Sequence, residues 1–279
     1  MDFSDAAGAF ALHDSEPLMP FKHLLIEHRG PVSWLYLNRP QALNAISFDC
    51  MKELRSAWLE LRERAETRVI VVSGKGRGFC AGADLTDAPA LNAEPGPEPG
   101  FLQVAAGMED ALLGCPKPVI AAVNGTCCGG GLELALMCDF IIAAETAKVG
   151  DAHANFGALP GGGATVRLPR LVGLGMAKLL MYSGELFPAA QMVECGLVTR
   201  AVPAEQLESE VQTLAEKIAA KSPIGLARMK TLLNDGWSQP AELAAKTEKL
   251  VAAEHMRSWD AAEGGKAFGE KRKPAFRGY

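Results

Sequence analysis

A carboxylate follows three consecutive glycines in the segment CCGGGLELALMCDF (127–140). Gly129–Gly131 follow a predicted strand and open a predicted helix, where the first backbone N–H groups have no partner within the helix and lie at the positive end of its dipole. A substrate oxygen can approach such a group closely, because glycine has no side chain. Glu133, one turn along, would face the same opening. The segment fits an oxyanion hole beside an acid–base carboxylate and, equally well, a glycine-packed helix that the carboxylate caps.

Two more glycine-containing loops follow predicted strands. FCAGADL (79–85) can expose a backbone N–H near Ala83, and one donor from each of two loops would polarise a single carbonyl oxygen. VGDAHANFG (149–157) contributes Asp151 and His153. A lone histidine is more often structural, but this one stands where the loops would converge, and an imidazole titrates near neutral pH.

The elements that would position these loops alternate in type. Apolar and β-branched runs predict strands at 32–38, 68–74, 117–125 and 139–145, and apolar spacing predicts a helix at 47–66 with Ser47 as its N-cap. This alternation indicates an α/β core. Helical spacing then dominates, at 188–196, 204–221, 223–236 and 240–260. We therefore expect an N-terminal extension (1–20), a core domain that holds the site (21–200) and a C-terminal helical region (201–279).

Composition and missing motifs exclude several functions. The 279 residues carry a net charge of −5, which argues against general nucleic-acid binding. We find no P-loop, dinucleotide fingerprint, GxSxG or HExxH motif, and the five histidines lack metal-ligand spacing, so no metal is expected. The seven cysteines form no CxxC pair and are typical of reduced core residues, which favours the cytoplasm. Neither a secretory signal nor a membrane span is expected.

Five ordered segments resemble the enoyl-CoA hydratase/isomerase superfamily, also called the crotonase family, over about residues 22–278. The segments are LNRPQALNAI (37–46), GRGFCAGADL (76–85), KPVIAAVNGTCCGGGLELALMCDF (117–140), LPGGGATVRLPRLVG (159–173) and GLVTRAVP (196–203). The resemblance implies an α/β fold, a crotonase-like spiral of ββα units with a C-terminal helical trimerisation region. It also implies a homotrimer, or a hexamer built as a dimer of trimers, and acyl-CoA thioester substrates. Coenzyme A would be part of the substrate, with no tightly bound cofactor.

The resemblance assigns roles to individual residues. The N–H groups of Ala83 and Gly130 match the two donors of the family's oxyanion hole for the thioester carbonyl, and Glu133 matches its first catalytic glutamate. The residues that match positions contacting the acyl-CoA are Ala42, Leu43, Ala81, Asp84, Leu85, Phe268 and Lys271. The last two reach toward the CoA nucleotide in family members, often in a neighbouring subunit. The basic run 271–273 could pair with CoA phosphates or be a solvated surface.

One position departs from the hydratase pattern: His153 stands where hydratases have a second catalytic glutamate. The main hypothesis is hydration of 2-enoyl-CoA to 3-hydroxyacyl-CoA, with His153 or water handling the proton at Cα. Isomerisation of the double bond, or another reaction through the enolate, is the alternative on the same site. A low-turnover acyl-CoA-binding or assembly protein is the alternative of another class. The four-proline loop DAPALNAEPGPEPG (87–100) is expected to shape the acyl pocket.

Overall fold

Strands and helices alternate in the computed structural model, which describes residues 21–87 and 100–279. The strands are β1 Leu24–Arg29, β2 Val32–Leu37, β3 Val69–Gly74, β4 Gly78–Cys80, β5 Val119–Val123, β6 Thr126–Cys128, β7 Phe140–Ala144, β8 Lys148–Gly150, β9 Phe187–Pro188 and β10 Arg200–Val202. The α-helices are α1 Phe48–Glu63, α2 Phe101–Leu113, α3 Gly130–Met137, α4 Ala164–Val172, α5 Leu174–Ser183, α6 Ala189–Met192, α7 Leu207–Ala219, α8 Pro223–Gly236, α9 Ala241–His255 and α10 Trp259–Gly269. The order β-β-α recurs from β1 to α4, which confirms the predicted α/β class and its ββα units.

The larger sheet has the strand order β1-β2-β3-β5-β7-β10. Its strands are parallel except for the antiparallel β1–β2 pair. Every residue of β3 and β5 is buried, as expected for parallel strands covered on both faces. Helix α7 packs on four of these strands, so the first helix of the predicted C-terminal region belongs to the same core.

The smaller sheet, β4-β6-β8-β9, positions the site. Its first three strands are parallel, and their carboxyl ends are paired: Cys80 pairs with Cys127, and Cys128 pairs with Gly150. Because carboxyl ends of neighbouring parallel strands meet at one edge of a sheet, the three loops that follow these strands emerge together. They are the loops on which the sequence places Ala83, Gly130 and His153.

Helix α1 shows how local sequence produces this packing. Ser47 caps it, and its hydroxyl accepts a hydrogen bond from the Cys50 N–H at 3.3 Å, as predicted. Its buried residues Leu54, Trp58 and Leu61 recur at helical spacing and are fully inaccessible. Each such side chain stabilises the fold by about 1.5–3 kcal/mol relative to exposure.

The predicted elements agree with the structure in the first half of the chain and less well afterwards. The four predicted strands match β2, β3, β5 and β7 within two residues at each end. The helix predicted at 188–196 is only Ala189–Met192, and the one predicted at 240–260 ends at His255 because Ser258 caps a separate helix, α10. The predicted domain boundary at 200 falls on the first residue of β10, so the sheet continues past it. The extension 1–20 lies outside the described residues, as does nearly all of the loop 87–100.

Candidate active site

Six of the predicted site residues line one cavity of about 330 Å³. They are Ala81, Ala83, Leu85, Gly130, Glu133 and His153. The loops after β4, β6 and β8 line this cavity, and helix α2 contributes apolar side chains such as Phe101 and Met108 to its wall. The arrangement combines an apolar chamber with a few polar groups, which is typical of a small-molecule site.

The N–H groups of Ala83 and Gly130 lie close together. A Cβ built on Gly82 would stand 3.1 Å from Gly130 N, and one built on Gly130 would stand 3.4 Å from Ala83 N. Gly82 permits this approach because its φ of +100° is open only to glycine. Neither N–H donates a backbone hydrogen bond to the part of the chain that the structure describes. Two free donors therefore meet at the cavity wall, and one of them opens helix α3.

Glu133 is buried, with 6% of its surface exposed, and backbone groups hold its carboxylate in place. The Gly162 N–H donates to Glu133 Oε1 at 2.7 Å, and the Ala164 N–H donates to the same oxygen at 3.2 Å. Ala164 is the first residue of α4, so the carboxylate also lies at the positive end of that helix dipole. These contacts leave Oε2 as the oxygen available for chemistry.

His153 connects this carboxylate with a second one. Its Nδ1 lies 3.0 Å from Asp151 Oδ1, and its Nε2 lies 3.9 Å from Glu133 Oε2. The hydrogen bond with Asp151 raises the pKa of His153 above its usual value of 6.5, although burial opposes the rise. Asp151 Oδ2 is buried without a hydrogen-bond partner in the described chain, so the contacts with His153 are the main stabilisation of this carboxylate.

A backbone feature directs the imidazole into the cavity. Ala152 has a φ of 63°, a left-handed conformation that costs a non-glycine residue on the order of 1–3 kcal/mol. The turn brings His153 back over Asp151 at the start of a short 3-10 helix, His153–Phe156. Strain of this kind persists only where the surrounding structure imposes it, and it is common at functional sites.

Sequence reasoning missed one titratable group of the cavity, Glu109 on α2. This half-buried residue lines the cavity, and burial raises the pKa of its carboxyl, with a further rise from Glu133 and an opposing effect of Arg167. The residue could have been found from helical spacing, since it lies four residues after Ala105 and eight after Phe101, both on the cavity face. The sequence prediction contained no helix at 101–113.

Five predicted residues lie outside the cavity. Asp84 is held within the fold: Arg39 Nη2 donates to its Oδ2 at 2.8 Å and the Thr86 hydroxyl donates to its Oδ1 at 2.6 Å, so both oxygens are engaged. The Thr86 contact, together with Arg39, keeps the pKa of Asp84 below its usual range despite burial. The other four lie in two places. Ala42 ends the 3-10 turn Pro40–Ala42 and Leu43 caps it, whereas Phe268 is in the last turn of α10 and Lys271 lies beyond that helix. Phe268 is 88% exposed.

Within 21–87 and 100–279, no cluster of three or more His, Cys, Asp or Glu side chains has the arrangement of a metal site. No helix in these ranges is both long and apolar enough to cross a bilayer.

Comparison with known proteins places this geometry in a family. Residues 27–279 match the model of the enoyl-CoA hydratase/isomerase family. A crotonyl-CoA hydratase of Syntrophomonas wolfei is 37% identical over 260 residues, which are 92% of this chain and 99% of that protein. A short-chain-enoyl-CoA hydratase of Clostridium acetobutylicum is 34% identical, over 91% of this chain and 97% of that protein.

Solved structures agree with these relatives. The crystal structure of an enoyl-CoA hydratase from Bacillus anthracis superposes with a TM-score of 0.87 at 36% identity, covering 92% of this chain and all of that one. An enoyl-CoA hydratase from Mycobacterium smegmatis gives a TM-score of 0.83 at 32% identity, covering 91% of this chain and 98% of that one.

Proposed function

The chain belongs to the enoyl-CoA hydratase/isomerase family, and on this basis we propose that it adds water to 2-enoyl-CoA thioesters to give 3-hydroxyacyl-CoA. Relatives that bear the names crotonyl-CoA hydratase and short-chain-enoyl-CoA hydratase support this reaction. One observation carries the proposal: the oriented carboxylate of Glu133 lines the same apolar cavity as Ala83 and Gly130, whose N–H groups have no backbone partner within the described residues.

In this proposal the N–H groups of Ala83 and Gly130 bind the thioester oxygen. Addition of water at Cβ moves the electron pair of the double bond toward the carbonyl and produces an enolate. Donors that already point at the developing negative charge stabilise it without reorganising, and each is worth about 2.7–4 kcal/mol of barrier. The N-terminus of α3 adds positive potential at the same point.

Glu133 and His153 carry the protons. A water molecule attacks Cβ, its oxygen forms the new bond, and one of its protons passes to Glu133 Oε2. The protonated Nε2 of His153 then delivers a proton to Cα, which converts the enolate to product. The proton on Glu133 returns to the imidazole over the 3.9 Å that separates the two groups, directly after a small shift or through water. Asp151 acts through His153 and is a positioning residue.

The rest of the acyl-CoA is assigned to the other predicted positions. Ala81 and Leu85 line the cavity and would contact the thioester end, while Asp84, Ala42 and Leu43 would flank the pantetheine. Phe268 and Lys271 would reach the nucleotide of a neighbouring subunit. We propose a homotrimer, or a dimer of trimers, which is supported by exposed apolar side chains on α8 and α9, among them Leu233 and Leu250. The seven free cysteines support a reducing compartment, and we propose the cytoplasm.

Isomerisation of the double bond is a second candidate, because an imidazole replaces the second carboxylate of the hydratase pattern beside Glu133. A single proton carrier suffices to move a proton between Cγ and Cα, and no water is added. An acyl-CoA-binding protein without turnover is disfavoured by Glu133, since an acyl chain gains nothing from a carboxylate in an apolar chamber.

One experiment separates the three functions. The purified protein is incubated with crotonyl-CoA and, separately, with 3-butenoyl-CoA in deuterated water, while absorbance of the conjugated thioester and product mass are recorded. Hydration predicts a loss of absorbance and a product heavier by one D₂O molecule. Isomerisation predicts that 3-butenoyl-CoA gains the absorbance of a conjugated thioester and exchanges hydrogen for deuterium, with no water added. If calorimetry shows that crotonyl-CoA binds and neither thioester changes, the protein is a binder and the proposed hydration is wrong.

A further inference from the structure

Glu109 is a carboxylate in the apolar wall of the cavity. The side chains of α2 that line the cavity are Phe101, Leu102, Ala105, Met108 and Glu109, so four of the five are apolar. No residue in the described ranges donates a hydrogen bond to Glu109 or forms an ion pair with it. The guanidinium of Arg167 is near enough to influence it electrostatically, but its Nη1 donates to the Gly162 carbonyl at 3.0 Å. As far as residues 21–87 and 100–279 are concerned, the carboxylate of Glu109 is thus free to contact whatever enters the cavity.

The position of Glu109 relative to Glu133 follows from Gly162. The point at which a Cβ on Gly162 would stand is 3.1 Å from Glu109 Oε1 and also 3.1 Å from Glu133 Cδ. These two carboxyl atoms therefore lie within twice that distance of each other. Because Glu133 would act at Cβ of the substrate, an acyl chain that continues from Cβ into this part of the cavity would come within reach of Glu109.

The chemistry of that wall selects the class of acyl chain. A half-buried carboxyl without a partner is unfavourable when an apolar chain displaces the water around it. A chain that donates a hydrogen bond removes this penalty, whereas a chain with its own carboxylate would face two like charges, Glu109 and Glu133. A hydroxyl group satisfies both conditions, since it donates a hydrogen bond and carries no charge.

We propose that Glu109 is a specificity-determining residue, which favours 2-enoyl thioesters bearing a hydroxyl group on the acyl chain just beyond Cβ. This inference rests on the proposed function, because it places Cβ beside Glu133. The hydroxyl proton is donated to Glu109, and the contact is made in the substrate complex and retained in the transition state. The residue acts on substrate choice, whereas Glu133 and His153 act on the reacting carbons.

The test compares substrate pairs that differ only in the hydroxyl group. We would measure kcat/KM for 4-hydroxycrotonyl-CoA against crotonyl-CoA, and for 5-hydroxy-2-pentenoyl-CoA against 2-pentenoyl-CoA. The variants are Glu109→Met, which removes the polar group at similar volume, and Glu109→Gln, which keeps a hydrogen-bond acceptor. Asp110→Asn is the matched control, because it changes the same charge at the next, exposed position of α2.

In the unmodified protein and in Asp110→Asn, we expect kcat/KM to be higher for the hydroxylated substrate than for its plain counterpart, so that the ratio of the two values exceeds one. In Glu109→Met the ratio falls about 10- to 100-fold, as for the loss of a hydrogen bond to a charged group, and in Glu109→Gln it falls less. A ratio that does not change in Glu109→Met, or that is below one in the unmodified protein for both pairs, overturns the proposal. If Glu109→Met does not fold, the comparison of Glu109→Gln with Asp110→Asn decides.

Failure of the proposed hydration can be told apart from failure of this inference. If no thioester is turned over, calorimetry measures the dissociation constants of 4-hydroxybutyryl-CoA and butyryl-CoA, and the ratio of these two constants replaces the ratio of kcat/KM values. Tighter binding of the hydroxylated thioester that is lost in Glu109→Met supports the role of Glu109 in a protein that is not a hydratase. Equal binding of the two thioesters overturns it.

Discussion

Removal of one backbone N–H at Gly130 tests the oxyanion hole directly. Gly130 is the first residue of α3, the helical position at which proline is best tolerated, so Gly130→Pro removes the N–H without removing an intrahelical hydrogen bond. A Cβ at this position would meet Ala83 N at 3.4 Å and Gly82 Cα at 3.6 Å, which are ordinary contacts. Gly130→Ala adds the same Cβ, keeps the N–H, and is therefore the matched control.

The magnitude follows from the loss of one of two donors. We expect kcat of Gly130→Pro to fall about 100- to 1000-fold below that of Gly130→Ala, equivalent to about 2.7–4 kcal/mol of transition-state stabilisation. The assay is the loss of enoyl-thioester absorbance with crotonyl-CoA at saturating concentration, and circular dichroism melting checks that both variants fold. If Gly130→Pro keeps a kcat within threefold of Gly130→Ala, the thioester oxygen is not held at this N–H and the proposed mechanism is wrong.

Three further predictions concern charge and anchoring. Glu133→Gln keeps an oxygen for the two backbone donors but loses the proton acceptor, so kcat should fall about 10²- to 10⁴-fold with little change in melting temperature; unchanged turnover would contradict its role. In a pH profile, kcat should fall as pH rises through the raised pKa of His153, because the protonated imidazole is the donor. Asp151→Asn removes the hydrogen bond that raises the pKa of His153, so the fall in kcat should occur at lower pH. A fall at unchanged pH would contradict the assignment of His153 as the proton donor. Asp260 accepts hydrogen bonds from the backbone N–H groups of the C-terminal residues 277–278. Asp260→Ala should therefore lower the free energy of unfolding in urea by about 1–3 kcal/mol. An unchanged unfolding midpoint would show that Asp260 does not anchor these residues.

The parts of the fold that the sequence predicts are those set by short-range pattern. The β-branched run of β3 and the glycine cluster before α3 each specify local structure within a few residues, and both predictions are confirmed. Helix α4 was missed because Pro169 lies inside it. A proline usually ends a helix, but here the helix continues to Val172 although Pro169 has no backbone N–H to donate to the preceding turn.

The candidate site also has features that the sequence predicts and features that it does not. The convergence of Ala83, Gly130, Glu133 and His153 could be predicted because their loops come shortly after the predicted strands β3, β5 and β7, which are parallel neighbours. The short strands β4, β6 and β8 that directly precede the loops were not predicted. The approach of Glu109 to Glu133 could not, because it depends on how α2 packs across the loop at Gly162. That packing depends on tertiary contacts between segments that are distant in sequence. Phe268 and Lys271 stay predictions, since their partner would be another subunit.

His153 and Glu109 are linked through the charge that the cavity can hold. A glutamate at position 153 would add a fourth carboxylate to Glu109, Glu133 and Asp151, and it would lie beside the last two. Like charges about 4 Å apart repel by roughly 1 kcal/mol in water and roughly 4 kcal/mol near a protein surface. A protonated imidazole at that position instead lies between Asp151 and Glu133 and offsets one of their charges. The enolate adds negative charge during the reaction, so the cation also lowers the repulsion that the intermediate would meet. We therefore infer that the departure from the two-glutamate pattern at 153 favours a carboxylate on the acyl side of the cavity. In the proposed mechanism, the histidine that would supply a proton to Cα is also the group that would allow Glu109 to face the substrate.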